Sequence, residues 1–346
     1  MRVIPVDPLQ FSAECEIMYA NAKLKRFGVG FLICLGVCLG WYAQSRILAP
    51  YRCVRVVDIS TETSPAGNSS TLQLAAYNIA HGRGGEHGAS NWTGASEQQI
   101  DDHLARIAEQ AEEVGIDILV LNEVDFQSSW SRYINQARSV ASQAGFRYVA
   151  EQRNVDVSMP FRKYCFGNAI LSKYPIKDIR VIRFPPLSRK EAVFAGNHDG
   201  LLAHVATPLG DLRVLAVHLE YRSEDVRVEC ARIVKTLVME DAIPIVVMGD
   251  FNSSPIFAKG HQTSKSNHNA VDFLLNSGLT TTRKTDMNWV KYVTFPSANP
   301  VRAIDWILCS PDIEQGYPSV VQSRLSDHLM VTETITFSTK GSPPLH

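Results

Sequence analysis

What the chain lacks narrows it first. Among 346 residues there are seven Cys, at 15, 34, 38, 53, 165, 230 and 309, with no Cys-x-x-Cys pair and no His-rich run, so the spacing of a structural zinc site is missing. An excess of one charge is missing too. Thirty-four Lys and Arg face 35 Asp and Glu for a net charge of −1, which provides no global basic field for nucleic acid. No repeat at solenoid periods recurs, and 21 Gly with 17 Pro are too few for fibrous or disordered material. What remains, 45% hydrophobic and 20% charged residues, is the composition of a folded globular chain.

Long uncharged runs are scarce, and the one that occurs stands out. "FGVGFLICLGVCLGWYA" (27–43) reaches the lower length limit for a helix crossing the hydrocarbon core, and Trp41 and Tyr42 suit the headgroup level. Lys23, Lys25 and Arg26 before it outweigh Arg46 after it, which places 1–26 in the cytoplasm and everything after the anchor outside. A cleaved signal peptide or a buried core helix are the competing readings; the long stretch before the run and Trp41 next to a would-be cleavage site speak against cleavage. A linker over 44–71, containing "STETSPAGNSST", then leads into a domain at 72–337 and a short tail at 338–346. Of the four cysteines beyond the anchor, Cys165, Cys230 and Cys309 lie in strand-like or helical runs and read as small buried hydrophobes.

Within the domain, strand-like runs alternate with helical spacing. "LQLAAYNI" (72–79) precedes a helix around 97–114, where Ile100, Leu104, Ile107, Ala108, Ala111 and Val114 form one apolar stripe. "IDILVLNEV" (116–124) precedes a helix around 131–144. "KYCFGNAILS" and "IKDIRVIRF", joined at Tyr174-Pro175, look antiparallel, and 201–219 reads as a hairpin turning at Gly210-Asp211. Helices near 224–240 and 270–277 and strands at 244–250, 303–310 and 329–336 follow. Hairpins mixed with helical crossovers predict an α/β fold of mixed sheets layered under helices.

Six of these apolar runs end in groups that handle metals or protons: "LAAYNI" in Asn78, "ILVLNEVD" in Glu123, "LAVHLE" in His218, "VVMGDFN" in Asp250 and Asn252, "AIDWIL" around Asp305, and "RLSDHLMV" around Asp327 and His328. Alternate strand residues share a face, so Asp250 and Asn252 point together while Phe251 turns into packing. A lone Asp-x-Asn is as readily a turn cap. Six such endings in one sheet system converge on one rim, where open α/β sheets carry their sites.

In order and approximate spacing the set resembles the endonuclease/exonuclease/phosphatase superfamily of metal-dependent phosphodiesterases. "GNAILSKYPI", "VHLEYRSEDVR" with Arg227 and "TFPSANPVRAIDWI" are similar as well. The resemblance implies a four-layered sandwich of two packed mixed sheets flanked by helices. It implies that Glu123 is a metal ligand, with Asn78 and Asp327 completing its shell or the layer behind it. Asp250 then orients or deprotonates the attacking water and Asn252 donates its amide to the same phosphate. His328 is the essential imidazole, Asp305 fixes its tautomer, and His218 is a second imidazole at the phosphate, as transition-state donor or as acid for the leaving group. In some relatives an earlier Glu supports that second imidazole, and Glu191 is the candidate here. An oxygen-rich shell suits Mg²⁺, with Mn²⁺ the alternative; zinc would want more His or Cys.

Around this set, Arg83 and Arg162 are candidate substrate contacts. His81, Arg83 and the glycines of "HGRGGEHG" read equally as a phosphate-approaching backbone or as a plain loop. The anchor points to a substrate in the membrane plane, because tethering raises effective concentration there. Some superfamily members hydrolyse sphingomyelin or inositol phosphates, and "NIAHGRG" resembles the domain associated with glycosylphosphatidylinositol remodelling. Lipid headgroups or related small phosphoesters are therefore favoured, with an extracytoplasmic nuclease second. A catalytically inactive binding module is third, since every site group is retained.

Overall fold

Apolar runs and turn chemistry give two stacked β-sheets with helices on both outer faces. In the computed structural model the described residues are 8–43, 55–59, 69–85, 96–159, 161–188, 198–256, 263–265, 267–282 and 289–337. The first sheet runs in the order β1 (Arg55–Asp58), β4 (Tyr148–Met159), β5 (Arg162–Ser172), β3 (Ile118–Asp125), β2 (Leu72–Asn78), β13 (Met330–Phe337) and β11 (Ile313–Gln315), with β12 (Ser319–Val321) also on β13. The second runs β10 (Asp305–Cys309), β9 (Ile245–Asp250), β8 (Gly210–His218), β7 (Gly200–Thr207) and β6 (Ile176–Ile182).

Among the described residues only β2 with β3 and β8 with β9 are parallel. A parallel pair needs a long crossover, and a helix supplies each one: α2 (Glu97–Val114) and α4 (Glu224–Glu240). Ser96 and Gln99 form a capping box at the start of α2, and Gly115 ends it with φ 74°. Helix α3 (Gln136–Gln143) packs beside α2, and α5 (Ala270–Asn276) beside α4.

Three apolar layers follow. Ile100, Leu104 and Ile107 of α2 meet Tyr77 and Leu119 of the first sheet; Leu74 and Val120 meet Val214 and Val246 between the sheets; Leu215 and Val247 meet Ala231 and Val234 of α4 beyond the second sheet. The four-layered sandwich is thereby the observed fold. Cys165, Cys230 and Cys309 are buried and in no disulfide among the described residues, and burial pushes the Cys230 thiol up to about 12. Cys53 lies outside the described residues.

Strands β1, β4, β11 and β12 are not anticipated by the sequence pattern, and three expected features differ. The helix expected at 131–144 begins only at Gln136, because Arg132 and Tyr133 take positive φ and Asn135 caps the helix. Strands β5 and β6 do not pair: the Tyr174-Pro175 link carries the chain from one sheet to the other. The β7–β8 hairpin turns at Pro208-Leu209, two residues earlier than expected, with Gly210 opening β8 at φ 120°.

At the N-terminus α1 (Pro8–Tyr42) contains one stretch, Tyr19–Tyr42, long and apolar enough to cross a membrane. It runs unbroken through Lys23, Lys25 and Arg26, so the helix starts well before the uncharged run.

Candidate active site

Strand geometry places the polar endings together. Asp250, the last residue of β9, is in register with His218 across the parallel pair and with Asp305 across the antiparallel one. Asn78 ends β2, opposite Asn122 on β3. One residue on, the ladder of β3 with β5 slips between Leu121 and Val124 and Glu123 adopts φ 50°. A bulge of this kind re-aims a side chain, here into the rim cleft. His328 precedes β13, and its ring lies against Phe295 with centroids 4.8 Å apart.

Gly249 sits where the sheets approach: φ is 136°, and an added Cβ would stand 2.1 Å from the Val217 carbonyl oxygen of the neighbouring strand β8 and 2.9 Å from Asn122 Oδ1 of the first sheet, a position only glycine fills. Behind it the Asp250 amide donates to Asn122 Oδ1 at 2.9 Å, Asn122 donates to Asn168 at 2.8 Å, and Asn168 donates to Gln152 and to the Asp199 carbonyl, both at 3.0 Å. This buried polar row fixes Asp250 of the second sheet to the first.

The catalytic candidates form one connected group. His328 Nδ1 lies 2.9 Å from Asp305 Oδ2, and its Nε2 lies 3.8 Å from Asp250 Oδ2. Asn78 Nδ2 donates to Glu123 Oε1 and to Asp250 Oδ2, each at 3.2 Å, while Asn78 Oδ1 accepts the Ala80 amide at 3.1 Å. Asn78 thus turns its amide nitrogen, not its oxygen, toward the two carboxylates. His218 Nε2 stands 3.7 Å from Asp250 and 3.9 Å from Glu123. Asn252, at φ 50°, donates its backbone amide to Asp250 Oδ1 and its Nδ2 to the Leu219 carbonyl. Phe251 is fully buried in the outer core, as alternation requires.

Electrostatics separates these groups. Burial would pull the His328 pKa down, but Asp305 and Asp250 outweigh it and carry it up to about 10. Burial would raise Glu123, but His81, His218 and His328 hold it at about 2, a permanent carboxylate. Asp250 moves the other way, raised by burial and then by Asp305. His198, packed edge-on against His218 with centroids 5.3 Å apart, is pushed to about 4 by burial and by that neighbour and is neutral at pH 7.

A cleft of about 620 Å³ opens over the group, lined by Glu123, His218, Asp250, Asn252, Asp327 and His328 together with Arg83, Arg222, Arg302, Tyr221, His81 and His198. Asp305 lies directly behind His328. Arg162 is exposed at the start of β5 and does not line the cleft, and Glu191 lies outside the described residues. Sequence reasoning passed over His198, Tyr221, Arg222, Arg302 and the Asn122–Asn168 row, and left His81 undecided. The available signal was an Asn interrupting an otherwise apolar strand, as in "VLNEV" and "FGNAI".

The profile of the endonuclease/exonuclease/phosphatase family matches residues 75–328, well over half of the chain. The chain belongs to that family. Members hydrolyse phosphoester bonds, and this activity is supported for the chain as a class. Solved structures similar to it include an endonuclease/exonuclease/phosphatase from Beutenbergia cavernae, 20% identical with a TM-score of 0.55 over 78% of this chain and 72% of that one. A mannosyl-6-phosphatase from Bacteroides thetaiotaomicron is 17% identical with a TM-score of 0.55 over 77% and 100%. The human Nocturnin catalytic domain with bound sulfate is 15% identical with a TM-score of 0.54 over 84% and 98%. At these identities the likeness is one of fold. No curated protein matches the sequence significantly.

Proposed function

We propose that the protein is a divalent-cation-dependent phosphodiesterase, anchored by α1 with its domain outside the membrane, acting on lipid headgroups or related small phosphoesters. The observation that carries this reading is that Asp305 holds His328 from behind while Asn78 donates to both Glu123 and Asp250, so that His328, Asp250 and Glu123 line one cleft. Hydrolysis of a phosphoester needs a neutralised phosphoryl group, an aimed water and a proton for the leaving oxygen. His328, charged through Asp305, offers a donor to a phosphoryl oxygen. Asp250, whose pKa burial and Asp305 raise, is placed to orient and accept a proton from water. Asn252 and His218 flank it, the one toward the phosphate and the other toward the leaving oxygen.

Glu123 fits a hard cation: its carboxylate stays ionised, reaches the cleft and is braced by Asn78, and Asp327 lines the same cleft. A bound Mg²⁺ or Mn²⁺ supplies charge neutralisation at the phosphoryl oxygens.

The guanidinium groups of Arg83, Arg222 and Arg302 at the cleft favour anionic substrates, and the anchor favours those held in a bilayer. The same guanidinium groups suit a nucleic-acid backbone, so the test sets the two side by side. Full-length protein in nanodiscs with Mg²⁺ or Mn²⁺ is offered labelled lipids, small phosphoesters, and single- and double-stranded DNA and RNA. Release of headgroups or small phosphates is expected. Cleavage of nucleic acid alone would replace the lipid reading with a nuclease, and no hydrolysis of any of these would sink the enzyme itself.

A further inference from the structure

One imidazole at the cleft has no part in the chemistry above. His81 follows β2 in a 3₁₀ turn, is 5% exposed, and lines the cleft beside Glu123. Its Nδ1 lies 2.9 Å from Oδ1 of the fully buried Asp125, and its Nε2 lies 3.4 Å from Glu123 Oε2. The ring is further fixed edge-on by Trp130 and Phe166, and Trp130 Nε1 donates to the other Asp125 oxygen at 2.7 Å.

The backbone there is forced. Ala80 and His81 both have positive φ, at 45° and 58°, and Gln136 clamps the His81 carbonyl at 2.6 Å while its side-chain oxygen receives the Asp125 amide. Non-glycine residues in this region are strained and persist where the surroundings impose them, commonly at functional sites. Glu123 carries the same conformation at φ 50°. Both facing side chains are therefore delivered by backbone that the sequence would not adopt unaided.

We infer that His81 Nε2 and Glu123 Oε2 are two adjacent ligands of one divalent cation, which gives this site a nitrogen donor and a preference for Mn²⁺, Co²⁺ or Zn²⁺ over Mg²⁺. Two ligand atoms roughly 2.1 Å from an ion stand about 3.0 Å apart at octahedral angles and about 3.4 Å apart at tetrahedral ones. The observed separation is 3.4 Å. A carboxylate on the far ring nitrogen is the usual support of a metal-bound imidazole, because it fixes the tautomer and aims the lone pair, and Asp125 occupies that place. Without an ion the same ring pairs with Glu123 as a hydrogen-bond donor; on ligation the cation replaces the Nε2 proton, which leaves to solvent. Imidazole favours the later first-row ions, whereas an all-oxygen shell would not discriminate against Mg²⁺ in this way. The inference rests on the proposed placement of the metal at Glu123, but not on the identity of the substrate.

The deciding experiment is pulsed electron paramagnetic resonance of Mn²⁺ bound to the full-length protein in detergent, with competition by Mg²⁺. Wild type should show ¹⁴N coupling from one imidazole, and Mn²⁺ should bind at least ~10-fold more tightly than Mg²⁺. His81→Asn should abolish the coupling and weaken Mn²⁺ at least ~10-fold, while His218→Asn should keep the coupling. Absence of ¹⁴N coupling in wild type, its survival in His81→Asn, or failure of the protein to bind Mn²⁺ would each overturn the inference. If His81→Asn fails to fold, His81→Gln replaces it, and absence of ¹⁴N coupling in the wild type overturns the inference without any variant. Phosphoester hydrolysis recorded on the same samples keeps the readings apart: hydrolysis without nitrogen ligation removes only the His81 assignment, and ligation without hydrolysis removes only the enzyme.

Discussion

His328 and Asp305 come from different sheets and meet across the gap between them: the imidazole precedes β13 of the first sheet, the carboxylate opens β10 of the second, and Nδ1 stands 2.9 Å from Oδ2. Neutralising Asp305 should leave the ring in place but remove its charge and its fixed tautomer. Asp305→Asn is expected to lower kcat by ~10²-fold or more with little change in KM. Steady-state rates on the best substrate, with circular dichroism as the folding control, check this.

The same pair sets a pH dependence of stability. His328 titrates near 6.5 when unfolded and is raised to about 10 in the fold, so its contribution is complete below pH 6.5 and is lost as pH rises through about 10. Glu123 works in the opposite sense: lowered from 4.5 to about 2, it contributes above pH 4.5 and loses that contribution as pH falls through about 2. With chelator present, the melting temperature of wild type should fall between pH 7 and 10, and His328→Gln should flatten that limb. Glu123→Gln should flatten the acid limb.

Gly249→Ala should be among the most damaging single changes. Its methyl group would meet the Val217 carbonyl at 2.1 Å and Asn122 Oδ1 at 2.9 Å at a backbone angle that disfavours side chains. A loss of at least about 2 kcal/mol is expected, read by thermal or denaturant unfolding.

Asn122→Ala tests the row beneath the site. It strips the Asp250 amide and Asn168 of a buried partner, which costs about 1–3 kcal/mol. Because Asp250 is also freed, turnover should drop by more than the lost stability accounts for, as measured at a temperature where the variant is fully folded.

Orientation is checked by proteolysis of intact cells carrying a C-terminal tag. The positive residues before the apolar run predict a tag that is cleaved from outside. Protection of the tag would invert the topology and remove outer-leaflet lipids from consideration.

Much of the fold was legible because local pattern and tertiary role agree. The α2 stripe at Ile100, Leu104 and Ile107 faces the core it announces, and the polar endings of β2, β3, β8, β9 and β10 share one rim because strands in a sheet share ends. Partner choice was not legible. Nothing near Tyr174-Pro175 tells a hairpin from a passage between sheets, since the pairing is decided by β3 and β7 elsewhere in the chain. Strand β4 escaped notice because charged residues such as Arg153 and Asp156 break its apolar pattern and pair with each other at 2.9 Å. His81 stayed undecided between loop and site because its burial depends on Asp125 and Gln136, which lie 44 and 55 positions away.

The passage of the site across two sheets has a further result. Asn78 and Glu123 ride on the first sheet, while His218, Asp250 and Asp305 ride on the second, and between them lies a layer of aliphatic side chains such as Leu74, Val120, Val214 and Val246. Turnover is therefore a gauge of how the sheets are seated on each other. Trimming that layer, or warming it, should shut the enzyme off while both sheets are still intact, so inactivation will precede unfolding.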